Sequence, residues 1–324
     1  MKSVATATVI LIAAALVVAS EATTAQGFPD HPITIVTPYA PGGGTDILVR
    51  ILAPMASKIL GQGIIVDNKP GAATMIGTEQ VVRSKPDGYT LLAADSATLI
   101  NPGLYKTKLP YDTVKSLQGV TMLASAPIIL LVNPAFPPKN LKELIALAKS
   151  EPGKLNFGSG GIGSGPHLAG ELFKLKAGVD IQHVPYNGTS PGVNAVLGGQ
   201  VQMMFGGISS ARQLVQSGKL RAIAVTGEKR NSSMPDVPTF AESGLDVDAS
   251  SYWGLYAPAG VPMTVLDTIS KAFARALHDP DNIKKLNDLG FSPIGNDPRE
   301  HTRQMHAMID LWTEVIDRAN VKSP

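Results

Sequence analysis

Cysteine is absent from this sequence, tryptophan occurs only twice, and aromatic residues make up 5% of it. Without a thiol there is no thiolate nucleophile, no disulfide and no cysteine-held zinc. An excess of charge of one sign is lacking too, since 28 basic residues face 26 acidic ones for a net charge of +2. The lysines and arginines form no block and are not interleaved with aromatics, so there is no electrostatic footprint for nucleic acid. H-E-x-x-H is missing, and His301 and His306, five apart on an expected helix, face apart and make a poor metal pair. No cofactor is implied. What is present is bulk: 324 residues, 44% of them hydrophobic, enough for a large core and about two domains.

Near the start, Lys2 precedes an apolar run from Val9 to Ala19, and small residues follow through Thr23, Thr24 and Ala25. That is the layout of a secretory signal peptide over residues 1–25, with cleavage after Ala25. A membrane anchor is the other reading, but the run falls short of the roughly 20 apolar residues a spanning helix needs. The expectation is an exported, periplasmic protein.

The stretch Pro38 to Asp46, PYAPGGGTD, lies between an extended apolar run, Ile33 to Thr37, and an apolar-periodic segment from Ile47. It reads as a strand, a glycine turn and a helix start. Gly42, Gly43 and Gly44 permit positive φ and leave no Cβ in the way of a bound molecule. The free N–H groups and the dipole of the helix favour an anion there. The loop is either a seat for a carboxylate or merely a tight connection. Asp46, in the first turn, either compensates the helix dipole or accepts a donor from a ligand.

Strands and helices then alternate, which predicts α/β architecture with largely parallel sheets. The first helix should bury Ile47, Leu48, Ile51, Leu52, Met55 and Ile59, kink at Pro54 and close at Gly61. A strand over Ile64 to Val66 leads into NKPGAATMIG, and another over Tyr89 to Ala93 leaves Asp95, Ser96 and Thr98 at its carboxyl end, where ligands collect in such sheets. Ala126 to Val132 reads as a buried strand leaving the first domain, and Tyr252 to Ala257 as its returning counterpart. The chain is thus expected to form two lobes, 26–124 plus 252–324 and 125–251, joined by two crossing strands with a cleft between them.

A second glycine stretch, GSGGIGSGPH from Gly158 to His167, follows a strand and opens a helix. Gly158, Gly160 and Gly163 satisfy G-x-G-x-x-G, but the acidic residue a dinucleotide needs at the end of the next strand is replaced by Val184-Pro185-Tyr186. A small-anion loop or a structural turn remains. Ser164 fits an N-cap and His167 the first turn; as a Ser–His hydrolase pair they would need an orienting acid. In a third loop, Asn187-Gly188 makes the turn, Thr189 or Ser190 caps and Pro191 begins a helix. Tyr39, Tyr186 and Phe205 either stack on an aromatic ligand or pack.

Taken in order, PYAPGGGTD, NKPGAATMIG, PDGYTLL, NPGLYKTKLPYD, GSGGIGSGPHLAGELF, VPYNGTSPGV, GKLRAIAVTGEKR, PDVPTFAESG and WGLYAPAGVP resemble the Bug family, the extracytoplasmic solute receptors of tripartite tricarboxylate transporters. The likeness runs from about Pro32 to Ile316. It implies a two-lobed, type II periplasmic-binding-protein fold that closes on a small carboxylate, whether a dicarboxylate, a tricarboxylate or an aromatic acid. It also implies delivery to inner-membrane permease subunits, with no nucleic acid involved and a monomer expected. In the family, loops matching Tyr39 to Asp46 and Gly161 to His167 grip one carboxylate through main-chain amides and waters. The candidate ligand-binding residues are Tyr39, Ala40, Pro41, Gly42, Gly43, Asp46, Ser96, Gly161, Gly163, Ser164, His167, Tyr186, Asn187 and Phe205. The alternative function is an exported α/β hydrolase.

Overall fold

The computed structural model describes residues 27–186 and 188–323. The signal-peptide assignment to residues 1–25 and the site assignment of Asn187 lie outside the described residues. In chain order the elements are β1 (Ile33–Thr37), α1 (Gly44–Leu60), β2 (Ile64–Asn68), α2 (Met75–Val82), β3 (Thr90–Asp95), α3 (Ala97–Tyr105), α4 (Thr113–Ser116), β4 (Leu117–Ala126) and β5 (Ile128–Val132). There follow α5 (Leu141–Ser150), β6 (Asn156–Ser159), α6 (Gly165–Ala177), β7 (Gln182–Pro185), α7 (Thr189–Leu197), β8 (Met203–Gly207), α8 (Ile208–Gln216) and β9 (Arg221–Val225). The chain ends with β10 (Ser251–Pro258), α9 (Met263–Leu277), α10 (Pro280–Asp288), β11 (Ser292–Pro293) and α11 (Pro298–Arg318).

The strands form two sheets, in the orders β11-β4-β10-β3-β1-β2 and β7-β6-β8-β5-β9. Each sheet carries a parallel trio, β2-β1-β3 in one and β7-β6-β8 in the other, beside one antiparallel strand. That antiparallel strand, β10 or β5, is the one the chain enters from the other sheet. The two crossings lie side by side. At the first, only Pro127 separates β4 from β5. At the second, Thr226 accepts the Ile128 N–H on Oγ1 at 2.9 Å, donates its own N–H to Ile128 O at 2.9 Å and lies 3.0 Å from Ser250 Oγ. Ser251 then pairs with Ala126. A hinge is therefore built from two strands stitched at their waists.

Both sheets are covered on both faces, so neighbouring residues of one strand enter different cores. In β1, Ile33 and Ile35 pack with α1 and α9, whereas Val36 faces Met305 and Ile309 of α11. In β8, Met203 and Phe205 join α5 and α6, whereas Met204 joins α7 and α8. Ile100 and Leu104 of α3, with Trp312, Val315 and Ile316 of α11, belong to the same core as Leu168 and Leu172 of α6. Helices carried by the first sheet thus lean on the second lobe. No helix among the described residues is long and apolar enough to cross a membrane.

Several expectations are corrected. α1 buries Leu48, Val49, Leu52, Ala53, Ala56 and Leu60, a face rotated from the expected one. The expected strand Ala126 to Val132 is two strands, split at Pro127. Only Gly42 of the three consecutive glycines has positive φ, at 80°, while Gly43 is extended and Gly44 opens the helix. The cap of α7 is Gly188, with Thr189 as the first helical residue rather than Pro191.

Candidate functional site

The loop between β1 and α1 is held from beneath. Asp46 is buried, and its Oδ2 accepts the Gly42 N–H at 2.9 Å while Oδ1 accepts Arg50 Nε at 2.9 Å and Asn68 Nδ2 at 3.0 Å. Burial pushes the Asp46 carboxyl up, but the hydrogen bonds from Arg50, Gly42 and Asn68 outweigh it and hold the group below the ordinary carboxylate range. Asn68 also reaches Thr37 Oγ1 at 2.7 Å and Tyr39 O at 3.1 Å, so the end of β2 fixes the end of β1. Both Asp46 oxygens are occupied inside the lobe. It braces the loop and is not among the residues lining the two cavities described below.

Above that brace α1 begins without a side-chain cap on Gly43. The first helical hydrogen bond runs from Ile47 N–H to Gly43 O at 2.9 Å, which leaves the N–H groups of Gly44, Thr45 and Asp46 ahead of the helical ladder. Gly44 and Thr45 lie at the edge of a cavity of about 390 Å³ whose lining also includes Tyr39, Ala40, Pro41, Gly42, Gly43, Asp95 and Trp253. Trp253 Nε1 donates to Thr45 Oγ1 at 3.1 Å, and its ring meets Phe291 edge-on at 4.9 Å. Tyr39 donates its hydroxyl to Asp95 Oδ1, which also accepts the Ala97 N–H at 2.9 Å.

A second cavity of about 390 Å³ shares Gly44 and Trp253 with the first and continues across the hinge. Pro166, Thr189, Gly207 and Ile208 line it from the other lobe, with Pro127 and Ser251 at the crossing. The first turns of α1, α6, α7 and α8 thus border one continuous cleft. Gly43, Gly188 and Gly207 precede three of these helices with no side-chain cap, and only α6 is capped, by Ser164 Oγ accepting the His167 N–H at 3.3 Å. Uncapped helix starts offer N–H donors and positive potential to an anion. Each cavity falls within the usual range for small-molecule sites, about 300–1,000 Å³.

Of the sequence-predicted residues, Tyr39, Ala40, Pro41, Gly42 and Gly43 line the cleft. Gly161, Gly163 and Ser164 form the loop before α6, with much of its polar capacity turned inward: Ser164 Oγ donates to Gly161 O at 2.7 Å and the Gly163 N–H donates to His167 Nδ1 at 3.1 Å. His167 itself is buried and stacks on His183 at 3.8 Å, so its ring faces the lobe and not the cleft. Ser96 is buried and accepts the Tyr252 N–H at 2.9 Å, joining β3 to β10. The Tyr186 ring lies over Gly158 and Gly192. Phe205 is fully buried among Phe157, Phe173 and Phe240, which leaves it no face for a ligand.

Thr45, Trp253 and the α8 start at Gly207-Ile208 are among the cleft residues that sequence reasoning missed, and Asp95, placed at a ligand-collecting strand end, was not named as a site residue. The signal for the α8 start was present as Gly206-Gly207 after an apolar run. Gly188-Thr189-Ser190-Pro191-Gly192 has the G-x-S-x-G spacing, but Ser190 is an exposed residue in the first turn of α7 and no histidine bonds to it among the described residues. The histidine nearest that loop in sequence, His183, is instead 2.7 Å from Ser159 Oγ. Among the described residues, no cluster of three or more histidine and acidic residues is suited to hold a metal.

The model of the tripartite tricarboxylate transporter family receptor matches residues 48–321. The chain belongs to that receptor family. It is 38% identical over 300 residues to a UPF0065 protein of Cupriavidus necator, covering 91% of this chain and 89% of that one. Protein BugT of Bordetella pertussis is 32% identical over 300 residues, with 92% of each chain covered. Among solved structures, a periplasmic transporter shares 40% identity at a TM-score of 0.74, covering 91% of this chain and 99% of that one. An R. palustris protein solved with adipate shares 30% identity at a TM-score of 0.74, covering 92% of this chain and all of the other. MatC of Rhodopseudomonas palustris, solved with malate, shares 31% identity at 0.69, covering 89% of this chain and all of the other. These relatives confirm the two-lobed periplasmic-binding-protein fold. The family is one of receptors, not enzymes, and the exported-hydrolase alternative finds no support.

Proposed function

We propose that this receptor works in the periplasm, where it captures a small carboxylate between its lobes and hands it to the inner-membrane permease of a tripartite transporter. Residues 1–25 act as the export signal and are removed near Ala25. The lobes comprise residues 26–126 with 251–324, and 127–250, one or two residues from the boundaries expected from the sequence, and the working unit is a monomer. The ligand is a dicarboxylate, a tricarboxylate or an aromatic acid.

One observation carries this reading: four helix starts border a single cleft, three of them uncapped, with no lysine or arginine lining the two cavities. Main-chain N–H groups recognise an anion without a formal cation, at roughly 1.5–3 kcal/mol per hydrogen bond to a charged group. Because the donors come from both lobes, a carboxylate would bind best with the lobes drawn together, so ligand shifts the population toward closure about the two hinge strands. The adipate and malate held by two family members are of the same chemistry.

Native mass spectrometry of protein purified from the periplasm without refolding tests the proposal. A complex with one small acid, released unchanged on denaturation, is expected. Protein that stays ligand-free against a broad panel of carboxylates would refute it.

A further inference from the structure

Asp95 stands at the carboxyl end of β3 and lines the same cavity as the start of α1. Its Oδ1 is doubly engaged, accepting the Tyr39 hydroxyl and the Ala97 N–H. Neither of these donors bonds to Oδ2, and none of the ion pairs among the described residues includes Asp95. The lining of this cavity carries no lysine, arginine or histidine either. A carboxylate drawn out of water and left without a cation is costly, and buried charges are ordinarily paired. Asp46, the other carboxylate of this loop, differs in that Arg50, Asn68 and the Gly42 N–H satisfy it.

The cavity therefore has two ends of opposite character. At the α1 end the free N–H groups and the dipole favour a negative charge. At the Asp95 end an acceptor with an unshared oxygen disfavours one. Resting on the carboxylate reading above, we infer that the ligand is a carboxylate that also carries an ammonium group, and that Asp95 is the residue that selects it, with Tyr39 holding the Asp95 carboxyl in place. The ligand carboxylate sits at the start of α1 and its ammonium donates to Asp95 Oδ2. A plain dicarboxylate of the same length would bring a second negative charge toward Asp95 and be rejected. Burial pushes the Asp95 carboxyl up from its ordinary range while Tyr39 and Ala97 pull it down, the balance expected of a carboxylate that lacks its cation.

Calorimetric titration of matched probes tests this: L-aspartate against succinate, and L-glutamate against glutarate, each pair differing by the ammonium group. The wild-type protein should prefer the ammonium-bearing member of the pair that fits by at least about 10-fold, the worth of one charge-assisted hydrogen bond. Asp95→Asn keeps an oxygen for the Tyr39 and Ala97 donors and removes the charge, so it should erase that preference and leave the unsubstituted acid bound as well or better. Equal or tighter binding of succinate or glutarate by the wild type overturns the inference while leaving the carboxylate reading intact. So does an Asp95→Asn variant, folded by circular dichroism, that keeps the preference. Binding of neither pair, nor of any other small carboxylate, overturns both.

Discussion

The backbone N–H of Gly163 donates to Nδ1 of His167 at 3.1 Å, tying the glycine loop of the second lobe to the first turn of the helix it opens. The bond requires Nδ1 to be an acceptor, so the ring is neutral with its proton on Nε2, which lies 3.8 Å from Glu171 Oε1. Burial, and after it the charges of His183 and Lys174, lowers the His167 pKa to about 3. The stacked His183 is lowered to about 4, again first by burial. An unfolded histidine titrates near 6.5. Between these values the unfolded chain binds more protons than the folded one, so stability rises with pH. The contribution is complete above about pH 6.5 and is lost as pH falls toward the folded values. Thermal unfolding followed from pH 7 to pH 4 should show a falling midpoint. His167→Asn, whose side-chain oxygen can accept the Gly163 N–H, should flatten part of that fall. An identical slope in both proteins would show that His167 contributes nothing to it.

Asp46→Ala removes the acceptor of the Gly42 N–H together with one acceptor each of Arg50 and Asn68. Because both Asp46 oxygens are engaged in propping the loop, the loss of affinity should be similar for acids with and without a hydrogen-bond donor. Asn68 keeps its bonds to Thr37 Oγ1 and Tyr39 O, so the cost is chiefly that of the Gly42 N–H left without its acceptor, about 1–3 kcal/mol of stability. Titration with each class of acid, beside a denaturant melt, checks both parts. A loss confined to donor-bearing ligands would return Asp46 to the ligand side of the loop.

Gly163 has φ of 76°, and a Cβ added there would come within 2.5 Å of Leu104 Cδ2, on α3. Gly42 has φ of 80° with nothing within 4 Å of an added Cβ. Gly42→Ala should therefore suffer backbone strain alone, roughly 1–2 kcal/mol. Gly163→Ala should suffer the same strain and a steric clash between lobes. Leu104→Ala should relieve the clash, giving a favourable coupling in a double-mutant cycle for Gly163 and none for Gly42. Chemical denaturation of the single and double variants measures it.

Ala72, Ala73 and Thr74 form a run of three non-glycine residues at positive φ, 45°, 50° and 77°. Asn101 Nδ2 holds the turn through Ala73 O at 2.7 Å and Thr74 Oγ1 at 3.1 Å. Ala73→Gly removes a left-handed penalty of roughly 1–2 kcal/mol and adds the unfolded-chain entropy of glycine, about 0.5–1 kcal/mol. The net expectation runs from no change to a gain of about 1.5 kcal/mol, or a few degrees in melting temperature at most. A clear drop on differential scanning calorimetry would mean the alanine methyl packs favourably enough to outweigh its strain.

The sequence made the glycine loop after β1 readable because three signals coincide there: a short apolar strand, consecutive glycines and an apolar-periodic run. The cap at Ser164 was equally plain, since a serine before Gly165-Pro166 at a helix start has little other use. β4 was hidden. Leu117 to Ala126 mixes Gln118, Gly119, Thr121 and Ser125 with apolar residues and is buried at most of its positions, so it shows neither alternation nor a continuous apolar run. Phe205 was misjudged for a related reason. In a sheet covered on both faces, composition does not reveal that Met204 points to one core and Phe205 to the other. Asp95 and Trp253 meet only because β10 returns antiparallel beside β3, with Trp253 paired to Asp95 although the two lie 158 positions apart in the sequence.

Small-angle scattering on one sample, with and without the acid that native mass spectrometry identifies, tests most directly that a carboxylate is gripped between the lobes. Closure of the lobes on the acid gives a smaller radius at saturation and full recovery of the acid unchanged. An unchanged radius at saturation, or conversion of the acid, would contradict it.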